Sequence, residues 1–358
     1  MILFTAGDVG GARAILPVIQ ECHSRRLSFI VLKHGPLSQE CPSSWPKILP
    51  PDKLTAATTA DWLAELKIST LVFGSSVSDT LPLTLARQSH EHGLPVMHVL
   101  DNWSNYRRRL EHDGLPMLIP DIYTVMDEIA YDGTVSEGLP SECIKITGQP
   151  ALAPLADEYT SLNNNYIGKD SLRLLFVSEP VESDQGTGPE SPTFRGYTEK
   201  TVLNILCQAL QPFAHQIKLS VLPHPREKQD ELAETWQAAK GGLCGGVLTK
   251  QNSRRNVLEA DGVIGMASIL LYEAWLIGKP VLSLQPDLRT QALRMLEKRA
   301  NLNFVDQKEE IACEVDAWLQ SIRQGNKSPH PDLFRHQGAA IKICDLLEDL
   351  LLPLVKKP

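Results

Sequence analysis

The chain has 358 residues with 42% hydrophobic and 22% charged side chains, which suits two globular cores of about 150–180 residues each rather than one. Its formal net charge of −8, from 35 basic and 43 acidic residues, argues against a general nucleic-acid binder, which needs a basic surface to neutralise phosphates. A small anionic ligand stays open, because a local site can be positive on an acidic protein.

In chain order, the apolar run Ile2–Thr5 predicts a strand that enters the glycines of AGDVGG, followed by a helix through ARAILPVIQECHSR. LSFIVLK, STLVFGSS, PVMHVLD, DIYTVMD and CIKITG predict further strands, with helices over TTADWLAELK and TLPLTLARQSHEHG between them. Buried strands alternating with helices are the pattern of a parallel sheet covered on both faces. The Asn-rich stretch 157–170 reads as a linker, after which the alternation restarts. LRLLFVSEP, IKLSVLPHP, GGVLT, NVLEADGVIG and PVLSLQ are strand-like, and KTVLNILCQALQPF, EKQDELAETWQAAK, SILLYEAWLIG and a segment through LRTQALRMLEKR are helix-like. The expected organisation is a first Rossmann-like domain over 1–156, a second over 157–330 and a C-terminal helix over 331–358 that packs back on the first. The two domains would face each other across a cleft.

Seven scattered cysteines form no CxxC pair and no Cys/His cluster with zinc spacing, so the expectation is reduced thiols in the cytosol and no metal or cofactor. The N-terminus lacks the basic and long apolar regions of a signal peptide, and no run approaches the ~20 apolar residues that span a bilayer. The amphipathic end LLEDLLLPLVKKP reads as a docking helix, with peripheral membrane contact as the sharper alternative.

Ligands of open α/β sheets bind beyond the carboxyl ends of the strands, so the loops there carry the candidate chemistry. Gly7, Gly10 and Gly11 let backbone approach a ligand at a helix N-terminus, and Asp8 among them is a candidate catalytic carboxylate. The loop is not GxGxxG, so a dinucleotide fingerprint is not supported. Asp101 ends a buried strand, where a carboxylate with a raised pKa can serve as a base. Arg107 is a candidate for an anionic substrate, while Arg108 and Arg109 read as a solvated helical face. Ser178 and Glu179 end the first strand of the second half. His224 and Arg226, in the loop Pro223–Glu227, could meet a phosphate or move a proton. Met266, Ala267 and Ser268 open a helix whose N–H groups could hold a diphosphate, and Glu273 further along could accept from ribose hydroxyls. Weaker features are Ser75, Ser76 and Asp79, and the acidic run Glu111–Gly114. Ser75 has no GxSxG elbow, which speaks against a serine hydrolase. The competing readings of these loops are structural: a tight β–α turn, a rigid turn and a capped core helix.

Taken together, PVMHVLD, ITGQPALAPL, LPHPRE and ADGVIGMASILLYEAWLIGKPVLSL resemble, in order, the glycosyltransferase-B superfamily and within it the branch of UDP-N-acetylglucosamine 2-epimerases and bacterial polysaccharide glycosyltransferases. The resemblance implies a catalytic acid at Asp101, a phosphate or catalytic histidine at His224, and diphosphate and ribose roles for Ser268 and Glu273. The paired acids and the Gly-Gly of the epimerases' ribose helix are absent here, as is their N-terminal Arg-Pro-Glu pattern. The resemblance therefore implies a metal-independent cytoplasmic transferase in polysaccharide biosynthesis, using a nucleotide-sugar donor and an acceptor hydroxyl activated by Asp101. A nucleotide-sugar 2-epimerase or hydrolase, and a non-catalytic partner subunit, are the alternatives.

Overall fold

The computed structural model describes residues 1–76, 79–111, 114–161, 171–290, 293–325 and 328–351. The chain divides into two units, Met1–Pro154 with Asp332–Pro358, and Leu155–Pro331.

The first unit alternates β1 (Ile2–Ala6), α1 (Val9–Ser24), β2 (Phe29–Leu32), α2 (Gly35–Glu40), β3 (Lys47–Ile48), α3 (Ala56–Glu65), β4 (Thr70–Gly74), α4 (Leu81–Glu91), β5 (Val96–Val99), β6 (Ile122–Val125), α5 (Glu128–Ser136) and β7 (Ile144–Ile146). Its strands are parallel, in the order β3-β2-β1-β4-β5-β6-β7. β1, β2, β4, β5 and β6 are buried along their whole length, as strands covered on both faces must be. α1 begins where Asp8 accepts the N–H of Gly11 at 2.8 Å, and its buried face of Ala12, Ile15, Val18, Ile19 and Cys22 repeats at helical spacing against the sheet.

The second unit contains α6 (Leu155–Ser161), β8 (Leu172–Val177), α7 (Val181–Gln185), α8 (Glu199–Leu210), β9 (Ile217–Leu222), α9 (Gln229–Ala239), β10 (Cys244–Val247), α10 (Ser253–Glu259), β11 (Gly262–Gly265), α11 (Ile269–Leu276), β12 (Val281–Leu284), β13 (Asn303–Val305) and α12 (Ile311–Arg323). Its parallel strands follow the order β10-β9-β8-β11-β12-β13. The core packs α8, α9 and α12 on this sheet around Leu203, Leu206, Trp236 and Trp318. α13 (Asp332–Gln337) and α14 (Ala339–Leu351) return to the first unit. α14 packs on α1 with Cys344 Sγ 3.3 Å from Cys22 Sγ, and Arg25 donates to Asp345 at 2.7 Å.

Two readings from sequence need correction. Among the described residues of the stretch 288–299 no α-helix forms, and residues 294–298 make successive turns. Those turns lay the buried Arg299 over the Tyr272 and Trp275 rings and give Arg294 both Glu297 and Asp306 as partners, so tertiary contacts override a helix-favouring composition. The run NVLEADGVIG is also not one strand. Its first half closes α10, and Asp261 accepts the N–H of Arg173 at 2.7 Å just before β11.

Candidate functional site

In the first unit the strand order reverses between β1 and β4, and the loops beyond β1, β4 and β5 gather the predicted residues. Asp101 follows β5, and its carboxylate meets Arg109 at 2.7 Å, with side-chain exposures of only 12% and 10%. Arg109 also donates to the main-chain oxygens of Ser75 and Ser104 at 3.2 Å each, so its guanidinium is fixed between loops. Gln149 donates to the Asp101 main-chain oxygen at 2.9 Å and is itself held by His336, whose Nδ1 accepts the Gln149 N–H at 2.9 Å. Gly10, at the start of α1, lies under Asp101: a Cβ there would overlap Oδ2. The glycine is therefore required for the carboxylate to reach the helix N-terminus. Burial pushes the Asp101 pKa above the ordinary carboxylate value and the Asp8 charge adds to this, while Arg109 opposes it.

Beneath this cluster His98 is fully buried, stacked on Tyr123 with ring centroids 4.7 Å apart, and its Nε2 lies 2.9 Å from Ser75 Oγ. Burial, then Arg109, holds its pKa well below the usual value, so it is neutral and structural. At the rim, His34 Nε2 lies 2.6 Å from Asp79 Oδ2.

In the second unit the reversal falls between β8 and β11. Glu179, after β8, accepts the N–H of Ala267, after β11, at 2.8 Å. Ser268 caps α11, its hydroxyl accepting from Leu270 at 3.3 Å. Ser178 Oγ donates to Glu227 Oε1 at 2.7 Å, and the same carboxylate accepts the His224 N–H at 2.6 Å. Burial raises the pKa of both Glu179 and Glu227. His224 Nδ1 accepts the Arg226 N–H at 3.2 Å, and burial followed by Arg226 lowers its pKa. The imidazole is thus neutral with its proton on Nε2, a donor for a ligand oxygen. Met266 is buried, and its carbonyl accepts from Ser283 at 2.6 Å.

Several expected residues are placed differently from their sequence readings. Arg109 is not on a solvated face; it is buried because Asp101 needs a cation once out of water. Arg107 is exposed and bonds Glu111 at 2.5 Å. Asp8 spends one oxygen as the α1 cap. Glu273 is buried, and Arg254 donates to both its oxygens at 2.9 and 3.0 Å, so its carboxylate is already paired. Arg226 is likewise paired, through both guanidinium nitrogens, with Asp184 at 2.6 Å. In the run Glu111–Gly114, residues His112 and Asp113 lie outside the described residues, as do the linker residues 162–170 and the tail 352–358. Sequence reasoning missed Arg254, Asp184, Gln149 and the His34–Asp79 pair, whose partners are at least 19 residues away in every case. Among the described residues no group of three or more His, Cys, Asp or Glu side chains is placed to hold a metal ion, and no helix is long and apolar enough to cross a membrane.

No family model matches the chain, and no curated protein matches it in sequence. Solved structures do match it in fold. The UDP-GlcNAc 2-epimerase of Methanocaldococcus jannaschii aligns with a TM-score of 0.64 at 13% identity, over 97% of this chain and 99% of its own. That of Neisseria meningitidis, bound to UDP-GlcNAc, gives 0.62 at 12% identity over 97% and 99%. Anabaena HepE, in complex with UDP and glucose, gives 0.59 at 14% identity over 99% of both chains. The architecture is that of the glycosyltransferase-B type, and its structural neighbours include the 2-epimerase branch.

Proposed function

We propose that the chain is an enzyme that binds a nucleotide sugar and converts it with no second substrate other than water, as an epimerase or hydrolase does, with Asp101 exchanging the proton. The observation that carries this reading is the Asp101 carboxylate itself: largely buried, raised in pKa, pressed on a helix N-terminus over Gly10 and oriented by Arg109. A carboxyl group whose pKa moves toward neutrality is suited to both giving and taking a proton. The second unit supplies the groups that suit a nucleotide: the N–H groups at the start of α11 and the Nε2–H of neutral His224. Neighbours matching over nearly their full length are epimerases of UDP-GlcNAc, which favours conversion of the donor alone over the transfer expected from sequence.

Transfer to an acceptor, with Asp101 taking the acceptor's proton, is the second reading. It is supported by the Anabaena neighbour, whose complex holds UDP and the sugar as separate molecules. The test is a panel of UDP-, GDP-, CDP-, CMP- and TDP-sugars incubated with the full chain and followed by proton and phosphorus NMR. Donor consumed without acceptor supports the first reading; donor consumed only when an acceptor is added moves the assignment to the second. In either case Asp101→Asn is expected to slow turnover about 10²–10⁴-fold while nucleotide binding persists. Unchanged turnover removes Asp101 as the base.

A further inference from the structure

Inverting a carbon centre needs a proton taken from one face of the sugar and returned to the other, and hydrolysis needs a base for water and an acid for the departing oxygen. Asp101, held in one orientation by Arg109 over Gly10, reaches one face only. The first unit holds a second proton-transfer pair, separate from Asp101. His34 follows β2 and Asp79 follows β4, and Nε2 of the one lies 2.6 Å from Oδ2 of the other. The other Asp79 oxygen accepts the Leu81 N–H at 3.1 Å, which fixes the carboxylate facing the imidazole. His34 stands just before α2, yet its side chain gives that helix no cap. Its Nδ1 has no hydrogen bond among the described residues, and its side chain is 32% exposed, so a ligand can reach it.

Both residues pack on the stretch of chain that also seats Asp101. A Cβ on Gly7 would lie 3.1 Å from Asp79 Cβ, and one on Gly35 would lie 2.8 Å from the Ala6 main-chain oxygen. A Cβ on Gly10 would overlap the Asp101 carboxylate. These close approaches, all within residues 6–10, gather the loops after β2, β4 and β5 around one turn of chain.

We propose that His34 is a second catalytic acid–base residue, positioned by Asp79, that works opposite Asp101 on the same substrate. This rests on the function proposed above and adds a residue to it. Asp79 accepts the Nε2 proton, so the neutral ring offers its Nδ1 lone pair to a ligand, and the ring protonated there is an acid held beside its counter-charge. In an inversion one of the two groups takes the proton of the C–H bond, whose electron pair the sugar keeps. The other supplies the proton of the new C–H bond on the opposite face, so the two exchange protonation states. In a hydrolysis one takes a proton from water as the water oxygen bonds to the sugar carbon. The other protonates the phosphate oxygen as its bond to that carbon breaks.

The experiment assays full-length wild type, His34→Ala, Asp79→Asn and the double variant on the nucleotide sugar that the wild type consumes, with nucleotide titrations and thermal melts of each. His34→Ala is expected to lose about 10²–10³-fold in kcat with nucleotide affinity and melting unchanged. Added imidazole is expected to restore part of that loss, because the exposed position admits it. Asp79→Asn offers an amide where the ring needs an acceptor. It is expected to lose at least about tenfold alone and nothing further in the His34→Ala background, since the two residues act as a unit. Turnover by His34→Ala equal to wild type overturns the inference and leaves the proposed function standing. So does a loss that imidazole does not restore and that Asp79→Asn deepens independently, which would make the pair a structural link between loops. No consumption of any nucleotide sugar by the wild type removes the proposed function, and the inference falls with it.

Discussion

The two units share one topology around their switch points yet treat the carboxylates of the loops after β5, β8 and β9 in opposite ways. In the first, Asp101 is matched by a side-chain cation, Arg109, and sits over a glycine at the start of α1. In the second, Glu179 and Glu227 are matched by backbone N–H groups, those of Ala267 and His224. Arg109, anchored on the Ser75 and Ser104 main-chain oxygens, meets Asp101 through a side-chain charge and orients the acid proposed to exchange the proton. Amides fixed by strands and a helix cannot shift, so the second makes a rigid seat. On the function proposed above, the same strand order around the switch point would serve proton transfer in one unit and binding in the other, and the difference lies in a few loop residues.

The largest effect that would break this comparison comes from Arg109→Met. Removing one partner of a buried pair leaves an uncompensated charge, and the expected loss is about 3–5 kcal/mol in urea unfolding. Combining it with Asp101→Leu should recover much of that loss. No recovery would show that Arg109 acts through Ser75 and Ser104 rather than through Asp101. Next in size is Gly10→Ala, whose new methyl displaces the Asp101 carboxylate; the expected cost is about 1–3 kcal/mol. Gly246→Ala in the second unit is the control, because a Cβ there meets nothing within 4 Å. Equal costs at the two glycines would mean that the close approach of Asp101 to α1 is not tight.

How much of this was legible beforehand follows from what each feature depends on. The parallel strands and the helices α1, α3, α4, α8, α9 and α11 were readable because burial on both sheet faces leaves continuous apolar runs and helical spacing. β3 and β13 were not, because strands of two and three residues carry no periodicity. Strand-end loops pointed to Asp101, His224, Ser268 and Glu273, since an acid or histidine after an apolar run stands out. Their partners did not stand out. Three consecutive arginines gave no way to choose Arg109 over Arg107, and Arg254 pairs with Glu273 only through folding. The seat that Glu179 takes on Ala267 was invisible for the same reason: it joins residues 88 positions apart.

Smaller effects sharpen the second unit's side of the comparison. Glu179 has its pKa raised in the folded state, chiefly by burial, so the folded protein holds its proton more tightly than the unfolded chain does. Its contribution to stability is present below the ordinary value of 4.5 and is lost as pH rises through the raised value. Wild type should therefore lose stability relative to Glu179→Gln as pH climbs above 4.5, and the gap should level off once the carboxylate is ionised in the folded protein as well. Urea unfolding of both proteins across that pH range is the measurement. Parallel stability profiles would mean that the Ala267 N–H and Arg195 offset the burial.

The smallest expected effect is that of Arg226→Ala. Its pair with Asp184 is bidentate, but the arginine side chain is 62% exposed, and exposed pairs contribute less than about 1 kcal/mol. Stability should hardly change. Nucleotide affinity is the telling readout, because a phosphate that draws Arg226 away from Asp184 gains a cation only if the pair is weak enough to exchange. Lower affinity with unchanged melting makes Arg226 a mobile cation beside a rigid seat. Unchanged affinity leaves the neutral His224 and the amides at the start of α11 as the phosphate contacts proposed for the second unit.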